Sequence, residues 1–221
     1  MRSVLLLSLI CWVLAAPLSA DEVFQAAGRI ESTTDNGGCS AVLIRPDVIL
    51  TAAHCVREDE DSSYAFRPTG STERIPVRRV MMHPLYIAFF AHRLRRLRFD
   101  FAIGQLDRPI DSNTIRPVNL STTAASAGEG LFIVSWRNPR STRPKRRRCL
   151  VVDGSYAGVV TLGCQVRGGE SGAPVFRLTG DGSELVAVVN STARQDGRSV
   201  ALASNVVDRI SVLFDRLAAT P

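Results

Sequence analysis

The chain has 221 residues, 45% of them hydrophobic and 22% charged, with a formal net charge of +6. That composition is too apolar for a disordered chain, and the length suffices for one large core or two small ones. None of the five cysteines lies in a Cys-x-x-Cys pair or a Cys/His cluster of ligand spacing, which argues against structural zinc.

In chain order, the first twenty residues, MRSVLLLSLICWVLAAPLSA, read as a secretory signal: one arginine, an apolar run, then Pro17 and small residues up to Ala20. A spanning helix needs about 20 apolar residues and this run breaks at Pro17, so a membrane anchor is the weaker reading. Cleavage falls after Ala20 or, because Leu18 is large for its position, after Ala16; either cut removes Arg2 and Cys11. Four cysteines remain, Cys39, Cys55, Cys149 and Cys164. An even number in an exported chain suggests two disulfides, with three connectivities open. Nearest-neighbour pairing is the simplest and closes loops of about 15 residues, each stabilising by roughly 3 kcal/mol in the chain-entropy model.

Beyond the signal, the runs CSAVLI, DVILTAA, RIPVRRVMM, LFIVSW, CLVVDG and ELVAVVN recur with Gly, Pro, Asn or Asp between them, which predicts an all-β protein. The segment from Leu106 to Gly130 lacks hydrophobic periodicity and is rich in turn formers. It reads as a connection between two β halves, with a boundary near residue 120, so that 21–120 and 121–221 follow the signal at 1–20. Helical spacing occurs only at the end, where Val206, Val207, Ile210, Leu213 and Leu217 share a face and Asn205 stands where a cap would.

Three stretches carry candidate chemistry. In LTAAHCV, His54 sits between alanines and a cysteine, a setting that alone is more often structural than catalytic. In FDFAIGQLDRPI, Asp100 lies between two phenylalanines, and an ionised carboxylate there needs a partner unless it points to water. A neutral imidazole whose Nδ1–H the carboxylate accepts would supply one, fixing tautomer and orientation. In RGGESGAPVF, Ser171 is surrounded by Gly168, Gly169 and Gly172, with Pro174 leading into the strand VFRL. A serine is a poor nucleophile unless it is exposed, near a base and beside backbone N–H donors for the oxyanion. The predicted use of the glycines is positive φ at 168 and 169 and room at 172 for a substrate carbonyl; the plain alternative is a turn between strands.

The chain order His54, Asp100, Ser171 is that of the chymotrypsin type. TAAHC, FDFAIGQLDRPI and GGESGAP resemble the histidine, aspartate and serine motifs of the trypsin-like serine proteases, and the likeness extends over nearly all of the chain after residue 20. It implies two antiparallel six-stranded β-barrels with a C-terminal helix and a cleft between the barrels. It implies that Ser171 is the nucleophile, His54 the general base and then acid, Asp100 the orienting carboxylate, and the N–H groups of Gly169 and Ser171 the oxyanion hole, with neither cofactor nor metal. The hairpin GCSAVLIRPDVILTAAHC implies a Cys39–Cys55 disulfide. The partners implied are protein or peptide substrates of a monomeric, secreted or periplasmic endopeptidase.

Departures from the family pattern are equally specific. The residue before the serine is Glu170 rather than aspartate, and no Ile-Val-Gly-Gly start exists; Ile30 in GRIES is expected inside the first strand. In its compact size, its ESGAPV ending and the cysteine seven residues before the serine, the chain resembles bacterial trypsin-like and glutamyl-endopeptidase relatives, in which a Cys149–Cys164 pair would brace the second barrel. Six residues before Ser171 stands Gln165, not an aspartate, so cleavage after basic residues gains no support. Gln165 with Asn190, Ser191, Thr192 and Ser199 would form a pocket for a small or medium uncharged side chain.

The runs 92–98 and 137–148 hold eleven arginines and lysines. They read as solvated loops or as a polyanion contact through Arg93, Arg95, Arg96, Arg98, Arg146, Arg147 and Arg148. The acidic run 58–61 reads as a solvated loop rather than a calcium site, and His83 and His92 as surface or loop residues. A different class of function, a non-catalytic homologue that binds anionic surfaces through the arginine loops, is the alternative to a protease.

Overall fold

The computed structural model describes residues 24–219 except 35, 36, 60, 62, 138–142 and 181; the predicted signal segment, residues 1–20, lies outside them. Strands β1 (Ala27–Ser32), β2 (Gly38–Arg45), β3 (Val48–Thr51), β4 (Tyr64–Pro68), β5 (Ile75–Met82) and β6 (Ala102–Leu106) close into one barrel in the order β1-β2-β3-β6-β5-β4. The second half contributes β8 (Gly130–Ser135), β9 (Lys145–Tyr156), β10 (Val159–Leu162), β11 (Pro174–Thr179), β12 (Gly182–Gln195) and β13 (Arg198–Asn205) in the order β11-β8-β9-β10-β13-β12, closed by β11–β12 pairing. Between the barrels, β7 (Asn119–Leu120) runs parallel to β12. The protein is therefore all-β with two closed antiparallel six-stranded barrels.

Strands β2 and β3 read as continuous apolar runs rather than alternating ones because both of their faces are covered. Ala41 to Ile44 and Val48 to Leu50 are all buried. One core fills the first barrel and continues through Trp136, Phe176 and Val188 into the space between the barrels. A second, with Leu131, Ile133, Val151, Val160, Leu162 and Val175, fills the other barrel. Fully burying side chains such as Ile30, Leu43, Ile49 and Phe66 contributes about 1.5–3 kcal/mol each.

One polar feature closes the first barrel. Register puts Arg29 of β1 directly opposite Arg67 of β4, a like-charge pair that is unfavourable by itself. Glu31 offsets it, accepting from Arg29 Nε at 3.2 Å and from Arg67 at 2.9 Å, with Arg74 3.0 Å away. Burial would raise the Glu31 pKa, but the hydrogen bonds and charges of Arg67, Arg74 and Arg29 outweigh it and hold the carboxyl below its ordinary value.

Two short helices follow β5: α1 (Pro84–Ala88), and α2 (Arg93–Leu97), which lies where the sequence reads as a basic loop. His83 is not a surface residue: it is 5% exposed, its Nδ1 accepts from Leu85 N–H at 3.1 Å, and so it caps α1. The terminal helix α3 spans Ser211–Ala219, starting later than the apolar spacing predicts. Residues 207–209 form a turn between β13 and α3 instead, and Asn205 Oδ1 accepts from Val207 N–H at 2.9 Å, capping that turn rather than the helix. Helix α3 returns to the first barrel, where Arg45 stacks on Phe214 at 3.6 Å and Arg216 bonds Met82 O and pairs with Glu58. Glu58 is thus a structural anchor and not merely solvated.

Candidate active site

The base is placed by a tight turn. After β3, Ala52 and Ala53 are fully buried, and a 3-10 turn at Ala53–Cys55 lifts His54 to the surface. Only side chains as small as alanine let that turn lie so close to the barrel, which is the physical content of TAAHC. Asp100, just before β6, is 4% exposed and grips the turn twice: Oδ1 accepts from His54 N–H at 2.9 Å, and Oδ2 lies 2.8 Å from His54 Nδ1. A carboxylate at Nδ1 places the ring proton there and leaves Nε2 with its lone pair outward. The pKa of Tyr86, buried nearby, is pushed up to about 12 by desolvation and then by the Asp100 charge, so it stays a neutral phenol.

The backbone from Leu97 to Asp100 is held from the second barrel, with Ser204 Oγ 3.4 Å from Asp100 O. Asn190 Nδ2 donates to Leu97 O at 3.0 Å and to Ser204 Oγ at 2.9 Å, and Ser204 Oγ donates to Leu97 O at 2.6 Å. Asn190, expected beside the substrate, is 4% exposed and committed to this brace.

Ser171 stands in the loop between β10 and β11, half-buried. Its carbonyl accepts from Ser40 N–H at 2.8 Å, which ties the serine loop to β2 of the first barrel. Ser40 follows Cys39, Cys39 is disulfide-bonded to Cys55, and Cys55 follows His54. Base and serine are thereby linked through a covalent bridge and one hydrogen bond. Among the described residues His54 and Ser171 share no hydrogen bond; such bonds are often long in free enzymes and tighten with substrate.

The glycines do only part of the job expected. Gly169 has φ +85° and Gly172 +77°, whereas Gly168 is not in the positive-φ region. A Cβ at Gly172 would lie 2.0 Å from Ser40 O and 2.4 Å from Thr51 Oγ1. Gly172 makes room for the first barrel's backbone, not for a substrate. The turn donates Glu170 N–H to Arg167 O at 3.1 Å and Gly172 N–H to Val189 O at 2.8 Å. Among the described residues the N–H groups of Gly169 and Ser171 meet no protein acceptor.

Behind the loop lies an ion pair that the sequence did not indicate. Glu170 is 1% exposed; it accepts from Ser135 Oγ at 2.7 Å, from Arg167 N–H at 2.7 Å and from the Arg147 guanidinium. Arg147 also donates to Gln165 O. It belongs to the basic run 137–148, so only its place on the inner face of β9 separates it from the arginines around it. It is therefore removed from the set of arginines available to a polyanion, and Arg96, over Tyr86 at 4.0 Å, is partly engaged as well.

Of the predicted pocket residues, Gln165 and Ser199 share a cavity of about 680 Å³ with Leu150, Val152 and Asp196. Ser191 Oγ donates to Asn190 Oδ1 at 3.0 Å and Thr192 Oγ1 to Val200 O at 3.1 Å, so both hydroxyls serve the fold. Cys149 and Cys164 form the second disulfide. Cys39, Cys55 and His54 cluster closely enough to suggest a metal, but both sulfurs are consumed in a disulfide, so the set offers no thiolate.

Two closed barrels with a histidine–aspartate pair and a glycine-bounded serine loop at their junction define the chymotrypsin-like architecture. The Trypsin family matches residues 18–210, and the chain belongs to that family. It is similar to human Kallikrein-2, 24% identical over 168 residues covering 62% of this chain and 64% of that protein. It is also similar to human Cathepsin G, 29% identical over 154 residues (60% and 57%), and to Seminase of Drosophila melanogaster, 29% over 111 residues (48% and 39%). The matched region spans less than two thirds of each of these relatives.

Proposed function

We propose that this protein is an exported serine endopeptidase working through Ser171, His54 and Asp100. The observation that carries the reading is the double grip of Asp100 on His54, through both the backbone N–H and Nδ1. A merely structural histidine needs no carboxylate that fixes the proton on Nδ1 and leaves Nε2 free to accept one.

In this reading His54 Nε2 takes the Ser171 proton as Oγ attacks the scissile carbonyl. The imidazolium so formed is stabilised by Asp100, and the N–H groups of Gly169 and Ser171 receive the oxyanion. His54 then gives the proton to the leaving amine, and water repeats the sequence on the acyl-enzyme. No aspartate stands at 165 to meet a basic side chain, so this reading carries no preference for cleavage after Lys or Arg. Two disulfides fit an oxidising compartment and support export. The exposed arginines, Arg93 and Arg95 among them, suit an anionic surface.

The test is to incubate oxidised protein covering Asp21 to Pro221 with a diverse peptide mixture, read by mass spectrometry beside a Ser171→Ala control. Cleavage by the wild type alone, reduced by several orders of magnitude in the control, supports the reading and reveals the preferred residue. Intact peptides in both arms favour the non-catalytic homologue.

A further inference from the structure

The segment from Pro84 to Arg98 is built in two layers. The inner layer is aromatic and fixed: Tyr86 is buried, Phe99 packs on His83 at 4.7 Å and on Phe89 at 5.9 Å, and Leu97 O is held by Asn190 and Ser204. The outer layer has no cover. Leu85, Ile87, Phe90 and Leu94 are 39, 48, 71 and 79% exposed, four of the seven large apolar side chains exposed among the described residues. Arg93 and Arg95 are exposed between them, and Arg96 lies over the Phe90 ring at 4.5 Å. From Arg74 to Phe99 the sequence contains seven arginines and no acid.

We propose that this face docks the protein on an anionic lipid surface, with Phe90 and Leu94 entering the headgroup region and Arg93 and Arg95 meeting lipid phosphates. A soluble polyanion would use the arginines and have no use for the apolar tips, whereas a bilayer interface rewards both. No helix among the described residues is long and apolar enough to cross a membrane. Ile87, Phe90 and Arg96 adjoin the groove beside His54, so adsorption would hold the cleft close to the lipid surface.

Sedimentation with vesicles tests this, using Ser171→Ala protein from Asp21 to Pro221 so that self-cleavage plays no part. Expected is at least tenfold tighter binding to vesicles of phosphatidylcholine with 30% phosphatidylglycerol than to phosphatidylcholine alone. Phe90→Ser with Leu94→Ser should weaken that binding tenfold or more while retention on a heparin column is unchanged, and Arg93→Gln with Arg95→Gln should abolish the preference for phosphatidylglycerol. Unchanged thermal midpoints establish that both variants fold. In a separate chain, Leu94→Trp should show a blue-shifted emission on anionic vesicles, which keeps the test open should the serine variant unfold. Equal affinity for the two vesicle types overturns the proposal. So does an apolar double variant that binds like its parent, or an emission from the Leu94→Trp chain that vesicles do not move; these results would leave a soluble polyanion as the partner of the arginines.

Discussion

Arg147 and Glu170 form an ion pair directly behind Ser171, with the carboxylate almost wholly excluded from water. Because Glu170 also takes the Arg167 N–H and the Ser135 hydroxyl, the pair sets the loop from 167 to 172, and Arg147 reaches on to Gln165 O at the pocket wall. Arg147 is a positioning residue in this reading. Removing one partner of a buried pair costs about 3–5 kcal/mol, so Arg147→Ala should lower both stability and kcat for a small ester, with Arg147→Lys in between. Adding Glu170→Gln to Arg147→Ala removes the uncompensated charge and should restore part of the lost stability, a double-mutant cycle with positive coupling. Additive losses would show that the two residues act apart.

Asp100→Asn tests the orienting role. The amide can still accept from His54 N–H, so the turn should hold, but Nδ1 would now face a group able to donate, and the ring proton would shift to Nε2. A loss of about 10⁴ in kcat near neutral pH is expected for such a change, with urea unfolding nearly unaltered. A loss below about tenfold would remove Asp100 from the mechanism.

The architecture was legible where burial and chemistry coincide. The six apolar runs all became strands, and TAAHC and FDFAIG announced the turn and the buried carboxylate that the structure joins at 2.8 Å. What sequence could not reveal depends on which way a side chain faces. Arg147 and Arg148 are neighbours in one basic run, yet alternation along β9 sends one to Glu170 and leaves the other exposed. His83 looks like any loop histidine until its ring is seen capping α1. Residues 206–210 show how tertiary context overrides local pattern: the apolar spacing predicts a helix from Val206, but Val206 and Ile210 bury their side chains from a turn after β13, and the helix starts only at Ser211.

Gly172→Ala separates the packing role of the serine loop from its chemistry. The new methyl would meet Ser40 O and Thr51 Oγ1 well inside contact distance at a positive φ. Strain and overpacking together predict a loss of about 2–5 kcal/mol, or else a shift that breaks the Ser40–Ser171 bond and with it activity. Gly168→Ala, with nothing within 4 Å of its Cβ, should change stability by less than about 1 kcal/mol. Thermal unfolding of the two variants beside the parent checks the contrast; equal midpoints would show that the barrel junction is looser than the structure has it.

His83 gives the fold an acid limit. Burial, joined by the charges of Arg209 and Arg216, lowers its pKa from 6.5 to about 4, against a hydrogen bond to the Arg209 backbone that raises it. In the unfolded chain the ring titrates near 6.5, so between these values the unfolded state binds more protons and stability rises with pH. The contribution is complete above about pH 6.5 and is lost as pH falls toward 4, roughly 3 kcal/mol in all. His83→Asn keeps an acceptor for Leu85 N–H and removes the titration. Urea unfolding at pH 7 and pH 4.5 should therefore show a smaller acid loss for the variant than for the parent, by about 2–3 kcal/mol. Parallel losses would mean that the ring is already protonated in the folded protein and that α1 is capped in another way.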